Sequence, residues 1–321
     1  MNIHEKYISR CIELGKLGLG NTYPNPSVGC CLVVDDKIIG EGYTSKAGGN
    51  HAEINAIENI NDKKYLENST MVVTLEPCSH YGKTPPCTKK IIESKINKVI
   101  IGCKDPNLLV NGSGIDQLIN NNIDVKVGVL ENECLELHKR FFTFQTKKRP
   151  YIILKWAETD DGIISPKHKN NYRPYWISND VSRQYVHKWR SQEHAILVGS
   201  KTIDFDNPLL DSRNWDNNSP IKIVIGNPKI KSKDTLYIHN GNDLNIENIT
   251  NFLHKNNIQS ILVEGGYKTL KTFIENNLWD EARIFKSKNK LKKGVLAPKI
   301  NGKKFYEQNI KNDKLKIIRN H

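Results

Sequence analysis

The sequence predicts an α/β protein of two domains, the first a three-layer α/β/α sandwich. Three observations carry that expectation. The chain has 321 residues, long for a single hydrophobic core. Short apolar runs alternate with segments of helical periodicity through both halves. The segment Lys147-Lys148-Arg149-Pro150 breaks the alternation, because proline stops the preceding helix and an apolar run begins at once with Tyr151. Domains are therefore expected over residues 1–146 and 150–321.

In the first domain a helix is expected over 5–18, then strands over 28–34 and 38–43 joined by a turn at Asp35-Asp36. Ala52, Ala56 and Ile57 recur at helical spacing, with Ile60 completing the face, which places a helix over 52–60. Residues 71–75 read as a buried strand and 88–94 as a helix after Pro85-Pro86. A strand over 99–102, a helix over 115–121 and a last helix over 131–140 follow. Gly112-Ser113-Gly114 lacks the third glycine of a dinucleotide fingerprint and reads as a turn or substrate loop. The second domain offers strands over 151–156, 195–198, 222–225 and 260–263, helices over 182–191, 246–256 and 269–276, and a weaker C-terminal strand region. Residues 285–293 are lysine-rich where an apolar strand is expected.

The chemistry-bearing pattern is His51-Ala52-Glu53, then Pro77-Cys78, then Cys87. One nitrogen and two thiolates bind zinc and leave the fourth tetrahedral position for water, as in a catalytic site. Zinc lowers the pKa of that water, and Glu53, beside the ligand His51 without being one, is placed to move protons. Zinc deaminases of nucleobase-like rings carry this arrangement. Their usual signature has two residues between the cysteines, whereas here residues 79–86 intervene. His51 and Cys87 fall at predicted helix starts, where the dipole favours anions. A purely structural zinc site needs a fourth ligand, for which His80 and Cys103 are available; Cys11, Cys30, Cys31, Cys103 and Cys134 otherwise read as buried thiols.

Seven cysteines without paired spacing argue against a disulfide framework. The charged N-terminus and the lack of any long apolar run point to a cytoplasmic protein that does not span a membrane. The formal net charge is +13. Nucleic acid is not expected as a partner, because the lysines are dispersed and the densest patch, 286–293, has no interleaved aromatics. A positive field also suits phosphorylated small molecules.

The first half resembles the deaminase domain of the bifunctional deaminase–reductases of riboflavin biosynthesis. The matching stretches are Thr22-Tyr23-Pro24-Asn25-Pro26-Ser27-Val28-Gly29, Asn50-His51-Ala52-Glu53, the run 74–87 from Thr74 to Cys87, and Asp105-Pro106-Asn107. The long insert between the cysteines is a mark of that family. The resemblance implies a cytidine-deaminase-like fold and zinc held by His51, Cys78 and Cys87. It also implies a phosphorylated diaminopyrimidinone substrate bound through Asn25, Lys83, Asp105 and Asn107. Asn25 can offer a donor and an acceptor to a pyrimidine edge, and Lys83 a cation to a phosphate or carbonyl oxygen.

No G-x-G-x-x-G follows any strand of the second half, so a Rossmann domain is not expected. Val263-Glu264-Gly265-Gly266 offers a strand end turning through glycines into a helix. The resemblance continues through Lys155-Trp156-Ala157, Trp176-Ile177-Ser178, His187-Lys188-Trp189-Arg190 and the run 202–210 to Glu264-Gly265-Gly266. It implies a dihydrofolate-reductase-like domain in which Ala157, Trp176, Thr202, Asp206, Asn227 and Gly266 contact NADPH. Arg190, Leu210, Arg213 and Glu264 are implied as substrate contacts, the two arginines being suited to a phosphate. A homo-oligomer is expected. The long segment between Gly162 and Trp176 and the lysine-rich 286–293 depart from the family pattern. They leave open a deaminase with a decayed reductase half; a nucleic-acid-binding zinc deaminase is the other rival.

Overall fold

In a computed structural model of the chain, which describes residues 2–82, 84–107, 110–167, 175–216, 218–238 and 245–320, two units separate, Met1–Lys148 and Arg149–His321. The first starts with helix α1 (Ile3–Leu17), closed by a capping box in which the Asn2 side chain accepts the Glu5 N–H and the Glu5 carboxylate accepts the Asn2 N–H. Strands β1 (Gly29–Val34) and β2 (Lys37–Tyr43) form a hairpin, followed by α2 (Ala52–Glu58), β3 (Thr70–Leu75) and α3 (Cys87–Glu93). Then come β4 (Lys98–Cys103), α4 (Ser113–Asn120), β5 (Asp124–Val127) and α5 (Glu131–Lys147).

The sheet order is β2-β1-β3-β4-β5, antiparallel across β1 and parallel from β3 to β5. Helices α1 and α5 pack together against it, while α2, α3 and α4 form a second row. That is the three-layer sandwich. Its core joins Ile8, Cys11, Cys30, Leu32, Met71, Val73, Ile101 and Leu118, none more than 1% exposed. Gly42 lets α2 lie directly on β2, since a Cβ there would stand 2.5 Å from the Ala52 carbonyl oxygen. This contact sets where α2 begins, and His51 is its N-cap.

The second unit is built on an eight-stranded sheet. Its elements are β6 (Tyr151–Glu158), β7 (Ile163–Pro166), α6 (Asp180–Gln192), β8 (Ala195–Gly199), α7 (Ser200–Asp206), β9 (Ile221–Ile225) and β10 (Thr235–Ile238). After them come α8 (Ile246–Lys255), β11 (Ser260–Val263), α9 (Tyr267–Glu275), β12 (Glu281–Lys286), β13 (Gly294–Leu296), β14 (Lys303–Ile310) and β15 (Asp313–Arg319). The order β10-β9-β8-β11-β6-β12-β15-β14 is parallel through β12 and antiparallel over the last two strands. This is the second α/β domain that the sequence predicts. Sheet residues such as Ile152, Leu197 and Val263 pack on one face, and Ile153 and Phe285, with Trp189 of α6, on the other.

Several elements differ from the sequence reading. Helix α5 runs to Lys147 rather than 140, because Phe141 and Phe144 continue its buried face. Strands β7 and β13 pair only with each other, and β14 is exposed at every residue but Ile310, so none carried a period-2 apolar signal. The apolar strand doubted near 285 is present as β12, with Ala282, Ile284 and Phe285 buried. The lysines follow it in a loop pinned by Asp161, whose carboxylate accepts the N–H groups of Leu291 and Lys292. Residues 168–174, within the long segment before Trp176, lie outside the described residues, as does Lys83.

Candidate active site

Parallel pairing of β3 and β4 matches Leu75 with Cys103, so the chain leaves both strands at one edge of the sheet. Pro77-Cys78 follows β3 and Asp105 follows β4. Cys87 is the first residue of α3, and its N–H donates to the Cys78 Sγ at 3.3 Å. The His51 Nδ1 lies 3.3 Å from the Cys87 Sγ and 3.5 Å from the Cys78 Sγ. All three ligand atoms fall within 4.8 Å of one another. A tetrahedral zinc with ordinary Zn–N and Zn–S bonds needs N···S edges of about 3.6 Å, so these residues fit that metal. Neither alternative ligand joins them: His80 is exposed, and the Cys103 thiol donates to the Thr74 carbonyl.

The cluster's electrostatics suit that role. The hydrogen bond with Cys87 holds the Cys78 thiol well below its ordinary value, with His51 adding to the effect. The same bond with Cys78, followed by burial, pushes the Cys87 thiol up. Glu53, in the first turn of α2, is 4% exposed; burial raises its carboxyl, and the Cys87 thiol is within hydrogen-bonding reach. A carboxyl poised to hold a proton beside a metal cluster can act as acid and base in turn. Burial also pushes the Asp105 carboxyl up to about 6, and its Oδ1 accepts the Asn107 N–H at 2.8 Å. Asn25 is half-buried in the turn before β1, its N–H on the Thr22 carbonyl and its carbonyl accepting the Thr22 hydroxyl.

In the second unit the residues implied by the resemblance gather after the carboxyl ends of parallel strands, where α/β sheets bind ligands. Ala157 is near the end of β6, and Thr202 and Asp206 are on α7, which follows β8. Asn227 follows β9, while Glu264 and Gly266 follow β11. Gly266 caps α9, and a Cβ there would meet nothing within 4 Å, so the helix start is open to a phosphate. Trp176 lies ahead of α6, exposed, with the Arg183 guanidinium 5.0 Å from its ring centroid.

Arg190 does not present a free fork. Its Nε and Nη2 donate to Glu264 at 2.8 and 2.9 Å, and its Nη1 to the Asp211 carbonyl at 3.2 Å. Lys155 donates to the same carboxylate at 2.9 Å. Burial opposes charge on Glu264, but Arg190 and Lys155 overcome it and hold the carboxyl below the usual carboxylate range. Arg213 is the more accessible guanidinium, 47% exposed and paired with Asp211. Leu210 is buried with a left-handed backbone, φ 54°. Sequence reasoning passed over Lys155, although it opens the matched stretch Lys155-Trp156-Ala157 and is the polar member of an otherwise apolar strand start.

A Cys2His cluster with a buried carboxylate beside it is the arrangement of a zinc deaminase, here in a chain that carries a second α/β unit. Residues 1–103 match the cytidine and deoxycytidylate deaminase zinc-binding region, and residues 150–287 match the RibD C-terminal domain. The riboflavin biosynthesis protein RibD of Aquifex aeolicus is 34% identical over 330 residues, covering 94% of this chain and 88% of that protein. The RibD of Actinobacillus pleuropneumoniae is 44% identical over 218 residues, covering 68% of this chain and 57% of its own length. The crystal structure of a diaminohydroxyphosphoribosylaminopyrimidine deaminase/5-amino-6-(5-phosphoribosylamino)uracil reductase from Thermotoga maritima superposes with a TM-score of 0.90 at 34% identity, covering 99% of both chains. The chain belongs to the RibD family of bifunctional riboflavin biosynthesis enzymes.

Proposed function

We propose that the first unit deaminates 2,5-diamino-6-(5-phosphoribosylamino)pyrimidin-4-one and that the second reduces the ribosylamino product with NADPH to 5-amino-6-(5-phosphoribitylamino)uracil. The observation that carries this reading is the His51, Cys78 and Cys87 cluster with Glu53 buried beside it, in a chain whose likeness to a deaminase/reductase extends over 99% of its length. Zinc held by those three residues supplies a Lewis acid that lowers the pKa of water to near neutrality. Glu53 would pass the first proton of the attacking water to the ring nitrogen and then, as the C–N bond breaks, the proton of the newly added hydroxyl to the leaving amine. Asn25, Asp105 and Asn107 hold the pyrimidine edge, and Lys83 the anionic end.

In the reductase, Ala157, Trp176, Thr202, Asp206 and Asn227 would line the cofactor, and the open helix start at Gly266 would take its pyrophosphate. Glu264, locked by Arg190 and Lys155, orients the opened ribose with Leu210, and Arg213 takes the phosphate. Arg190 thus serves through Glu264 rather than by its own fork. The dispersed charge excess favours small phosphorylated ligands over nucleic acid, and no helix among the described residues is long and apolar enough to cross a membrane. A cytoplasmic homo-oligomer is the working form we propose.

The test is to incubate the purified protein with the diaminopyrimidinone phosphate, with and without NADPH. Ammonia release in both arms and NADPH oxidation in one are expected. Ammonia without NADPH oxidation leaves a deaminase with a decayed partner, and no ammonia overturns the reading.

A further inference from the structure

Glu76 stands two residues ahead of the cluster cysteine Cys78 and is 3% exposed. No lysine or arginine pairs with it among the described residues. Its carboxylate is instead filled by backbone. Oε1 accepts the N–H groups of Gly112 at 3.0 Å, Gly114 at 3.0 Å and Ile115 at 3.3 Å. Oε2 accepts those of Asp105 at 3.1 Å and Gly112 at 3.1 Å. A carboxylate offers about four lone-pair sites, so these four residues use its whole accepting capacity.

Among the described residues the Asn107 carbonyl ties the arm to the approach to α4 by accepting the N–H groups of Val110 and Asn111 at 2.8 and 3.0 Å, but Glu76 is the side chain that bonds both to the segment carrying Cys78. The ladder between β3 and β4 ends with Leu75 opposite Cys103, and beyond it the Glu76 N–H bonds the Cys103 carbonyl at 3.0 Å. Past that point the Pro77-Cys78 turn, the Asp105–Asn107 arm and the start of α4 are joined through the Glu76 side chain. Two contacts extend the junction, Ser79 Oγ to Ser113 Oγ at 2.6 Å and Thr88 Oγ1 to Gln117 Oε1 at 2.7 Å. Gly114 is required by the closeness of the approach, since a Cβ there would stand 2.2 Å from the Pro77 carbonyl oxygen.

We propose that Glu76 is a positioning residue for deamination, a four-donor joint that holds the Asp105–Asn107 arm and the start of α4 in register with Cys78. The proposal rests on the reading of Asp105 and Asn107 as substrate contacts. A buried charged acceptor suits the task, because charge-assisted bonds are short and directional, and displacing a substrate-positioning group by about 1 Å can cost ~10²-fold in rate.

Glu76→Gln keeps the side-chain size but turns an NH2 group toward backbone donors. In the full chain we expect one zinc retained and reductase turnover unchanged. Amide hydrogen exchange at Asp105, Gly112, Gly114 and Ile115 should quicken by about tenfold or more, with the β3 and β4 amides unmoved. The KM for deamination should rise by about ten- to a hundredfold, the usual range for groups that orient a site. A glutamate that is only structural would lower the unfolding midpoint and leave the KM of the folded enzyme as it was, and that result overturns the proposal. If Glu76→Gln fails to fold, Glu76→Asp, which keeps the charge on a shorter stem, is judged on the same two readouts. Asn107→Ala is measured alongside. A normal KM there overturns the substrate reading of the arm, whereas unchanged exchange in the Glu76 variant overturns the joint itself.

Discussion

Arg190→Ala perturbs the reductase at a point where the cost can be worked from geometry. The side chains of Arg190, Glu264 and Lys155 are 13%, 8% and 15% exposed, so the network is largely out of water. Truncation removes two charge-assisted bonds to Glu264 and one bond to the Asp211 carbonyl, leaving the carboxylate with Lys155 alone. Breaking a buried ion pair costs about 3–5 kcal/mol, and the surviving lysine places this case near the lower end, about 3 kcal/mol. With an urea slope of about 2 kcal/mol/M, the midpoint should fall by about 1.5 M. Tryptophan fluorescence isolates the effect, because all five tryptophans (Trp156, Trp176, Trp189, Trp215 and Trp279) lie in the second unit. NADPH oxidation should drop with the loss of Glu264 alignment, and ammonia release should not. Removing the carboxylate as well, in Arg190→Ala with Glu264→Leu, should cost less than the sum of the single changes, since no unpaired charge is left buried. A loss below about 1 kcal/mol in the single variant, or strict additivity in the double, would refute the argument.

Three further outcomes are expected. Glu53→Gln should keep zinc and fold, the amide filling the same buried volume, while deamination falls by roughly 10²–10⁴-fold; Cys87→Ala should lose the metal by elemental analysis, and near-normal turnover of the first variant would remove Glu53 from the mechanism. Burial raises Asp105 from 3.8 to about 6, so between those values the folded state binds more protons than the unfolded chain and stability falls as pH rises. Asp105→Asn should therefore stabilise the first unit at neutral pH by up to about 3 kcal/mol, with the gain vanishing below about pH 4 and deamination impaired. Circular dichroism melts at both pH values check this, and a gain independent of pH would count against it. NADPH should give the higher kcat/KM over NADH, because the run Gly226-Asn227-Pro228-Lys229 after β9 contains no acidic residue of its own to hold a ribose diol, and the Asp204 carboxylate that reaches it accepts the Lys229 N–H. Equal use of NADH would sink that reading, and a preference untouched by Asn227 and Lys229 substitutions would sink only the assignment.

The sequence by itself determined the metal chemistry and the fold class. Ligand identity is a matter of residue type, and His51, Glu53, Cys78 and Cys87 fall beside strand and helix ends that local periodicity already marks. Long amphipathic helices and fully buried parallel strands were legible for the same reason. What the tertiary structure decided was how side chains spend their bonding capacity. Nothing local to Glu76 says that its four donors come from residues 29 to 39 positions away. Nothing around Arg190 says that a carboxylate 74 residues later takes its fork and shares it with Lys155. Strands such as β14 were legible only as a weak C-terminal strand region, because an exposed edge owes its pairing to backbone bonds, which leave no mark on residue type. Burial makes the difference in each case: a charged group withdrawn from water must find its partners within the fold, and those partners are set by which strand ends the sheet brings together.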